Sequence, residues 1–131
     1  MTLSGRIRAA KRIYIIGNGG SYANAIHIQN DLISCGIRAH TLDPSTLTAI
    51  ANDHGYEYIF SRWIMLFGEP GDFLIALSGS GKSPNILNAV KAAEIIGMDI
   101  ERVFGAPKLD MQTAEEFQLS IGHDLMRELK K

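Results

Sequence analysis

The sequence predicts an α/β protein whose central parallel sheet is covered by helices on both faces, and three observations carry that expectation. Two short runs, "RIYII" at 12–16 and "FLIALS" at 73–78, are apolar almost throughout, as strands buried on both faces must be. Each run stops at a glycine/serine loop, "GNGGS" or "SGSGKS". Each loop opens a stretch of helical composition, and strand–helix alternation builds a parallel sheet.

The elements follow in order. After "RIYII", Ser21 is placed to cap a helix over "YANAIHIQNDLISC", which Gly36 ends. "RAHTLD" at 38–43 gives a second strand. Residues 45–54 read as a weak helix or turn, and 56–67 as a firmer helix before the turn "GEPGD". The third strand is "FLIALS". Pro84 then stands at a helix start, where its missing N–H costs nothing, and "NILNAVKAAEII" closes at Gly97. "DIERVFG" offers one more short strand, and 112–130 a final helix. Tyr56, Phe60, Trp63 and Phe67 are expected in the core or at a subunit contact. Cys35 reads as a small buried residue, and His40 and His54 as loop or surface residues.

Composition removes several function classes. The 131 residues suit one domain over 1–131, with no linker or low-complexity stretch. A formal net charge of −1 leaves no electrostatic footprint for nucleic acid. No apolar run approaches the ~20 residues that would cross a membrane. The basic N-terminus has no long apolar region behind it, so no secretory signal is expected there. The single cysteine cannot form an internal disulfide and fits a reducing compartment, so the cytoplasm is expected.

Both loops join a strand end to a helix start, where unpaired N–H groups and the helix dipole favour an anion. "SGSGKS" resembles the end of an ATP-binding loop, but that motif needs a glycine where this chain has Ala76. "GNGGSY" resembles a dinucleotide fingerprint, with Asp43 available for a ribose, but Tyr22 fills the third glycine position. No nucleotide is therefore expected. A serine-rich cradle with one lysine suits a compact monoester phosphate; the alternative is a solvated turn, where Ser and Gly are common. His27 and Asp31 are four apart and share a helix face. Glu115 and His123 are eight apart on the last helix, about 80° around it and ~12 Å along it. If the two helices meet, the four side chains could transfer protons or bind a divalent metal. The alternative is a surface ion pair together with a carboxylate that favours a helix N-terminus.

Four stretches, "GNGGSYANAIH", "LTAIANDHGYEYIFSRW", "GDFLIALSGSGKSPNILNAVKAAEIIGM" and "EEFQLSIGHDL", resemble the sugar isomerase (SIS) domain family, specifically bacterial phosphoheptose isomerases. The resemblance implies a three-layer α/β/α fold of flavodoxin-like type. It implies isomerisation of sedoheptulose 7-phosphate to D-glycero-D-manno-heptose 7-phosphate, on the route to surface heptoses. The phosphate would lie on Ser78, Gly79, Ser80 and Ser83, and the sugar on Asn18, Gly19, Ser21 and Asn52. Asp31 would be the base of a cis-enediol proton shuttle, His123 its partner acid, and Asp53 would assist ring opening. Zinc would be held by His27, Asp31, Glu115 and His123. A homo-oligomer, dimer or tetramer, is implied, without nucleic acid or membrane.

The departures from the family pattern are specific. Asp31 stands where relatives carry glutamate, Glu115 where they carry glutamine, and Cys35 where they carry arginine. Relatives begin about forty residues earlier, and the passage from "GMDI" to "ERVFG" omits a strand–helix unit. These changes keep a second reading open, a non-catalytic SIS module binding a phosphosugar or a partner protein, as in relatives that associate with the bacterial replication initiator.

Overall fold

The computed structural model describes residues 1–105 and 110–131. Among these residues four parallel strands, β1 (Ile13–Ile16), β2 (Ala39–Thr41), β3 (Phe73–Ser78) and β4 (Asp99–Phe104), form one sheet in the order β2-β1-β3-β4. The helices are α1 (Leu3–Ala9), α2 (Gly20–Ser34), α3 (Pro44–His54), α4 (Ile59–Phe67), α5 (Pro84–Ile96) and α6 (Met111–Leu129), with a 3-10 turn at Tyr56–Tyr58. Among the described residues no helix is long and apolar enough to cross a membrane.

Strand side chains alternate between two cores. Tyr14, Ile16, Leu74 and Ala76 face a cluster completed by Phe60, Trp63 and Ile64 of α4 and by Ile86, Ala89 and Ala93 of α5. Ile13, Ile15, Phe73, Ile75 and Leu77 face the other, with Ile7 of α1, Ala25, Ile28 and Leu32 of α2, and Leu125 of α6. Both faces of β1 and β3 are thus sealed, which explains their unbroken apolar sequence. Burying each large side chain contributes roughly 1.5–3 kcal/mol.

The helix after β1 lies on one face of the sheet and the helix after β3 on the other. Neighbouring strands whose connections depart to opposite faces leave a crevice at their carboxyl ends, where ligands of open α/β sheets bind. Both glycine/serine loops open into that crevice.

Several local expectations are corrected. Ser21 does not cap α2: Gly19 holds the N-cap position with φ 54°, and Ser21 lies buried in the first turn. The second strand is shorter than 38–43, because Asp43 is taken by α3. Its carboxylate accepts the Thr46 N–H at 2.9 Å, Pro44 occupies the first helical position, and residues 44–54 form a full helix. That N–H holds the Asp43 carboxyl below its usual range, and the capping role replaces any ribose contact. The helix expected over 56–67 is a 3-10 turn followed by α4. Phe60 and Trp63 are core residues, whereas Tyr56 and Phe67 are exposed. Cys35 is half-buried at the C-cap of α2.

Two findings lie outside the sequence reading. Helix α1 was not expected. It is capped by Thr2, buries Ile7 and is clamped to β4 by Arg6, which binds Asp99 in a two-toothed pair and reaches Glu101 at 2.7 Å. Arg6 in turn holds the Asp99 carboxyl below its ordinary value. The junction between "GMDI" and "ERVFG" lies inside β4, whose six residues run through it as one strand.

Candidate functional site

The serine loop folds on itself through its own backbone. Ser78 Oγ accepts the Gly81 N–H at 2.9 Å, and Ser80 Oγ accepts the Lys82 N–H at 3.1 Å. Gly81 sits at φ 69°, a conformation that side-chain-bearing residues rarely adopt. The Ser80 and Ser83 hydroxyls are 3.4 Å apart, and Ser83, the N-cap of α5, makes no side-chain capping bond. Gly79 is buried beneath Met111, whose sulfur would strike any Cβ placed there. Asn18, Ser21, Ser78, Gly79, Ser80, Ser83 and Met111 line a single cleft at the strand ends. Two helix N-termini, those of α2 and α5, open onto it. Hydroxyls, backbone N–H groups and two helix dipoles converge, and that combination stabilises a phosphate dianion.

The second part of the site lies between α2 and α6, which run parallel. Successive contacts rise together along both helices: Gly20 with Glu115, Asn24 with Gln118, Ile28 with Gly122, and His27 with His123. Gly122 permits the approach, since a Cβ there would fall 2.7 Å from Ile28 Cγ1. The His27 and His123 Nε2 atoms come within 3.1 Å of each other, with the rings edge to face. His27 Nε2 is also 3.4 Å from Asp31 Oδ2, a buried oxygen with no hydrogen-bond partner among the described residues. Each imidazole nitrogen carries at most one proton, so the three atoms cannot all be satisfied by one another.

That shortage fits a cation. Ligand atoms about 2.0–2.1 Å from a tetrahedral zinc lie about 3.3 Å from one another. Donor atoms of His27, Asp31 and His123 all fall within 4.8 Å of one another, and the two closest separations are 3.1 and 3.4 Å. Glu115 stands apart from the three: its carboxylate lies over Gly20 at the start of α2, where a negative charge suits the helix dipole.

The remaining sequence candidates are placed as follows. Gly19 is exposed at the mouth of the first loop. Asn52 and Asp53 are exposed near the end of α3, and the Asn52 amide donates to Asp53 Oδ1 at 3.1 Å. Lys82 is exposed at the rim of the cradle. Sequence reasoning missed two residues. Gln118, 1% exposed, donates to Ser21 Oγ at 3.0 Å and accepts from Asn24, fastening α6 to the first loop. Asn85, 2% exposed, pairs with Asn18. The signal available for both was a polar residue on the buried face of an otherwise apolar helical pattern.

Comparison with known proteins identifies the fold and the family. A family model described as the SIS domain matches residues 2–103. The phosphoheptose isomerase of Akkermansia muciniphila is 34% identical over an alignment of 133 residues, covering 95% of this chain and 70% of the relative. That of Rhodospirillum rubrum is 41% identical over 108 residues, but the chain spans only 57% of its length. The structure of phosphoheptose isomerase GmhA from Neisseria gonorrhoeae superposes with a TM-score of 0.90 at 27% identity, covering 98% of this chain and 80% of that one. A phosphoheptose isomerase from Francisella tularensis, at 24% identity, shares the fold with a TM-score of 0.87. The chain belongs to the SIS domain family and, within it, to the phosphoheptose isomerase family.

Proposed function

We propose that this protein is an aldose–ketose isomerase that converts sedoheptulose 7-phosphate into D-glycero-D-manno-heptose 7-phosphate. The observation that carries the reading is the pairing of an anion cradle at the start of α2 with an unsatisfied His27–Asp31–His123 group further along that helix, where α6 supplies His123. His27 lies seven residues, about 10 Å of helical rise, beyond Gly20 at the start of α2. A sugar phosphate anchored at the cradle would need an extended chain to reach the group, as a seven-carbon ketose can.

In this mechanism Ser78, Gly79, Ser80 and Ser83 hold the phosphate, and Asn18, Gly19, Ser21 and Asn52 contact the sugar. Asp53 assists ring opening. Asp31 removes a proton from C1 of the open-chain ketose while His123 protonates O2, giving the cis-enediol. Asp31 then returns the proton to C2 as His123 accepts the proton from O1, and the aldose forms. A positioned acid or base of this kind contributes typically ~10²–10⁴-fold. In a metal-bound form His27, Asp31 and His123 would hold a zinc ion, and Glu115, set over Gly20 at the start of α2, lies outside that set. When bound, zinc supplies Lewis acidity toward the substrate oxygens. Self-association is supported by the exposed apolar side chains Met65, Leu66, Phe67 and Ile95.

A binding-only SIS module is the second reading. Asp53 is exposed, with only the neighbouring Asn52 amide donating to it among the described residues, and Glu115 lies over the first loop, which favours it. One assay separates the two. Purified protein is incubated with sedoheptulose 7-phosphate, with and without added zinc, and aldose formation is followed by NMR. Turnover is expected; saturable binding of the phosphosugar without turnover would remove the enzyme reading and leave the module.

A further inference from the structure

The proposed chemistry leaves one buried polar residue, Asn85, unused, and its pairing with Asn18 joins the two loops of the site. Asn18 Nδ2 donates to Asn85 Oδ1 at 2.9 Å, and Asn85 Nδ2 donates back to Asn18 Oδ1 at 2.8 Å. The Tyr56 hydroxyl donates to the same Asn18 oxygen at 3.0 Å. Asn85 is in the first turn of α5, just after the serine loop, and is only 2% exposed. Tyr56 arrives from the turn after α3 and is 55% exposed. Three separate connections of the fold therefore meet on one carboxamide.

Counting donors and acceptors shows what the meeting does. A carboxamide oxygen accepts two hydrogen bonds and its nitrogen donates two. Both acceptor positions of Asn18 are filled and one N–H is used, so a single N–H remains for a ligand in the cleft that Asn18 lines. A buried amide such as Asn85 would be costly without partners, so the reciprocal pair also holds loop 17–19 at a fixed spacing from the serine cradle.

We infer that Asn85 and Tyr56 are positioning residues: they lock Asn18 so that its remaining N–H meets a hydroxyl or carbonyl oxygen of the sugar, at a set distance from the phosphate. The inference rests on the phosphosugar reading above. It predicts a split, because the cradle itself contains neither residue: sugar recognition depends on the pair, whereas bare phosphate binding does not.

The test measures dissociation constants for sedoheptulose 7-phosphate and for inorganic phosphate by calorimetry, together with thermal melting. Tyr56→Phe removes only an exposed hydroxyl. It is expected to melt with the parent and bind phosphate within twofold, yet bind the sugar phosphate about fivefold more weakly, the effect of one lost hydrogen bond. Asn85→Asp keeps the shape and the acceptor for Asn18 Nδ2 but sets an oxygen against Asn18 Oδ1. A loss of tenfold or more for the sugar phosphate is expected, again with phosphate spared. Unchanged sugar-phosphate affinity in both variants overturns the inference, as does an equal loss for both ligands. Failure of the isomerase reading shows separately, as wild-type protein that binds the sugar phosphate without turning it over. Wild-type protein that binds the sugar phosphate no better than inorganic phosphate overturns the inference outright, since no sugar contact then exists to be positioned.

Discussion

The serine loop and the histidine group are built by opposite means. The loop's hydrogen bonds span two or three residues, and its shape comes from its own backbone, with Gly81 at positive φ and two hydroxyls turned onto nearby N–H groups. The histidine group joins positions 96 residues apart and exists only because α2 and α6 pack side by side. A local device tolerates distant change, whereas a device assembled by packing inherits every disturbance of the helices that carry it. The two parts of the site should therefore fail independently.

The sharpest break is Asp31→Ala. It removes the proposed base and the unsatisfied oxygen, while the cradle, about three helical turns away along α2, keeps all its bonds. Turnover should fall by about 10²–10⁴-fold with affinity for inorganic phosphate unchanged, read by steady-state kinetics beside calorimetry. Equal losses in both would mean that the two regions are one unit. The reciprocal change, Ser80→Ala, removes a hydroxyl proposed to meet the phosphate, and a hydrogen bond to a charged group is worth about 1.5–3 kcal/mol or roughly 10–100-fold in affinity. Phosphate binding should weaken by that factor, while zinc titration of the histidine group stays as in the parent. Unaltered phosphate affinity would place the anion elsewhere.

The same contrast explains how much was legible in the sequence. "SGSGKS" announced itself because everything that shapes it is contiguous, and "RIYII" and "FLIALS" because burial on both faces leaves no polar position. His27 and Asp31 could be paired by helical spacing alone. Spacing could not say whether Glu115 or only His123 would join them, since that depends on how far α6 slides along α2. In the fold, Glu115 lies at the first turn of α2 and His123 two turns later, so one helix delivers them to different ends of the site. Asn85 and Gln118 were overlooked because an amide on an apolar helix face has no partner visible in the chain; each finds its partner 67 or 97 residues away. Helix α1 escaped for a related reason, being short and held by Arg6 against a strand 93 residues further on.

The finest test of the comparison is Gly122→Ala, which alters neither the cradle nor the side chain of any candidate ligand. Gly122 has no positive φ, so alanine is acceptable to the backbone and gains up to about 1 kcal/mol in helix propensity. Against this, its Cβ would lie 2.7 Å from the side chain of Ile28, which is 3% exposed and has little room to retreat. Overpacking of this kind costs about 1–3 kcal/mol, so the expected net loss is about 1 kcal/mol by denaturant unfolding. The relief available is a shift of α6 away from α2 by a few tenths of an ångström, which widens the His27–His123 separation. Zinc affinity should drop several-fold while the phosphate constant does not move. A variant that lost phosphate affinity along with zinc would show that the helix pair also shapes the cradle, through Met111 over Gly79, and the independence of the two regions would then be wrong.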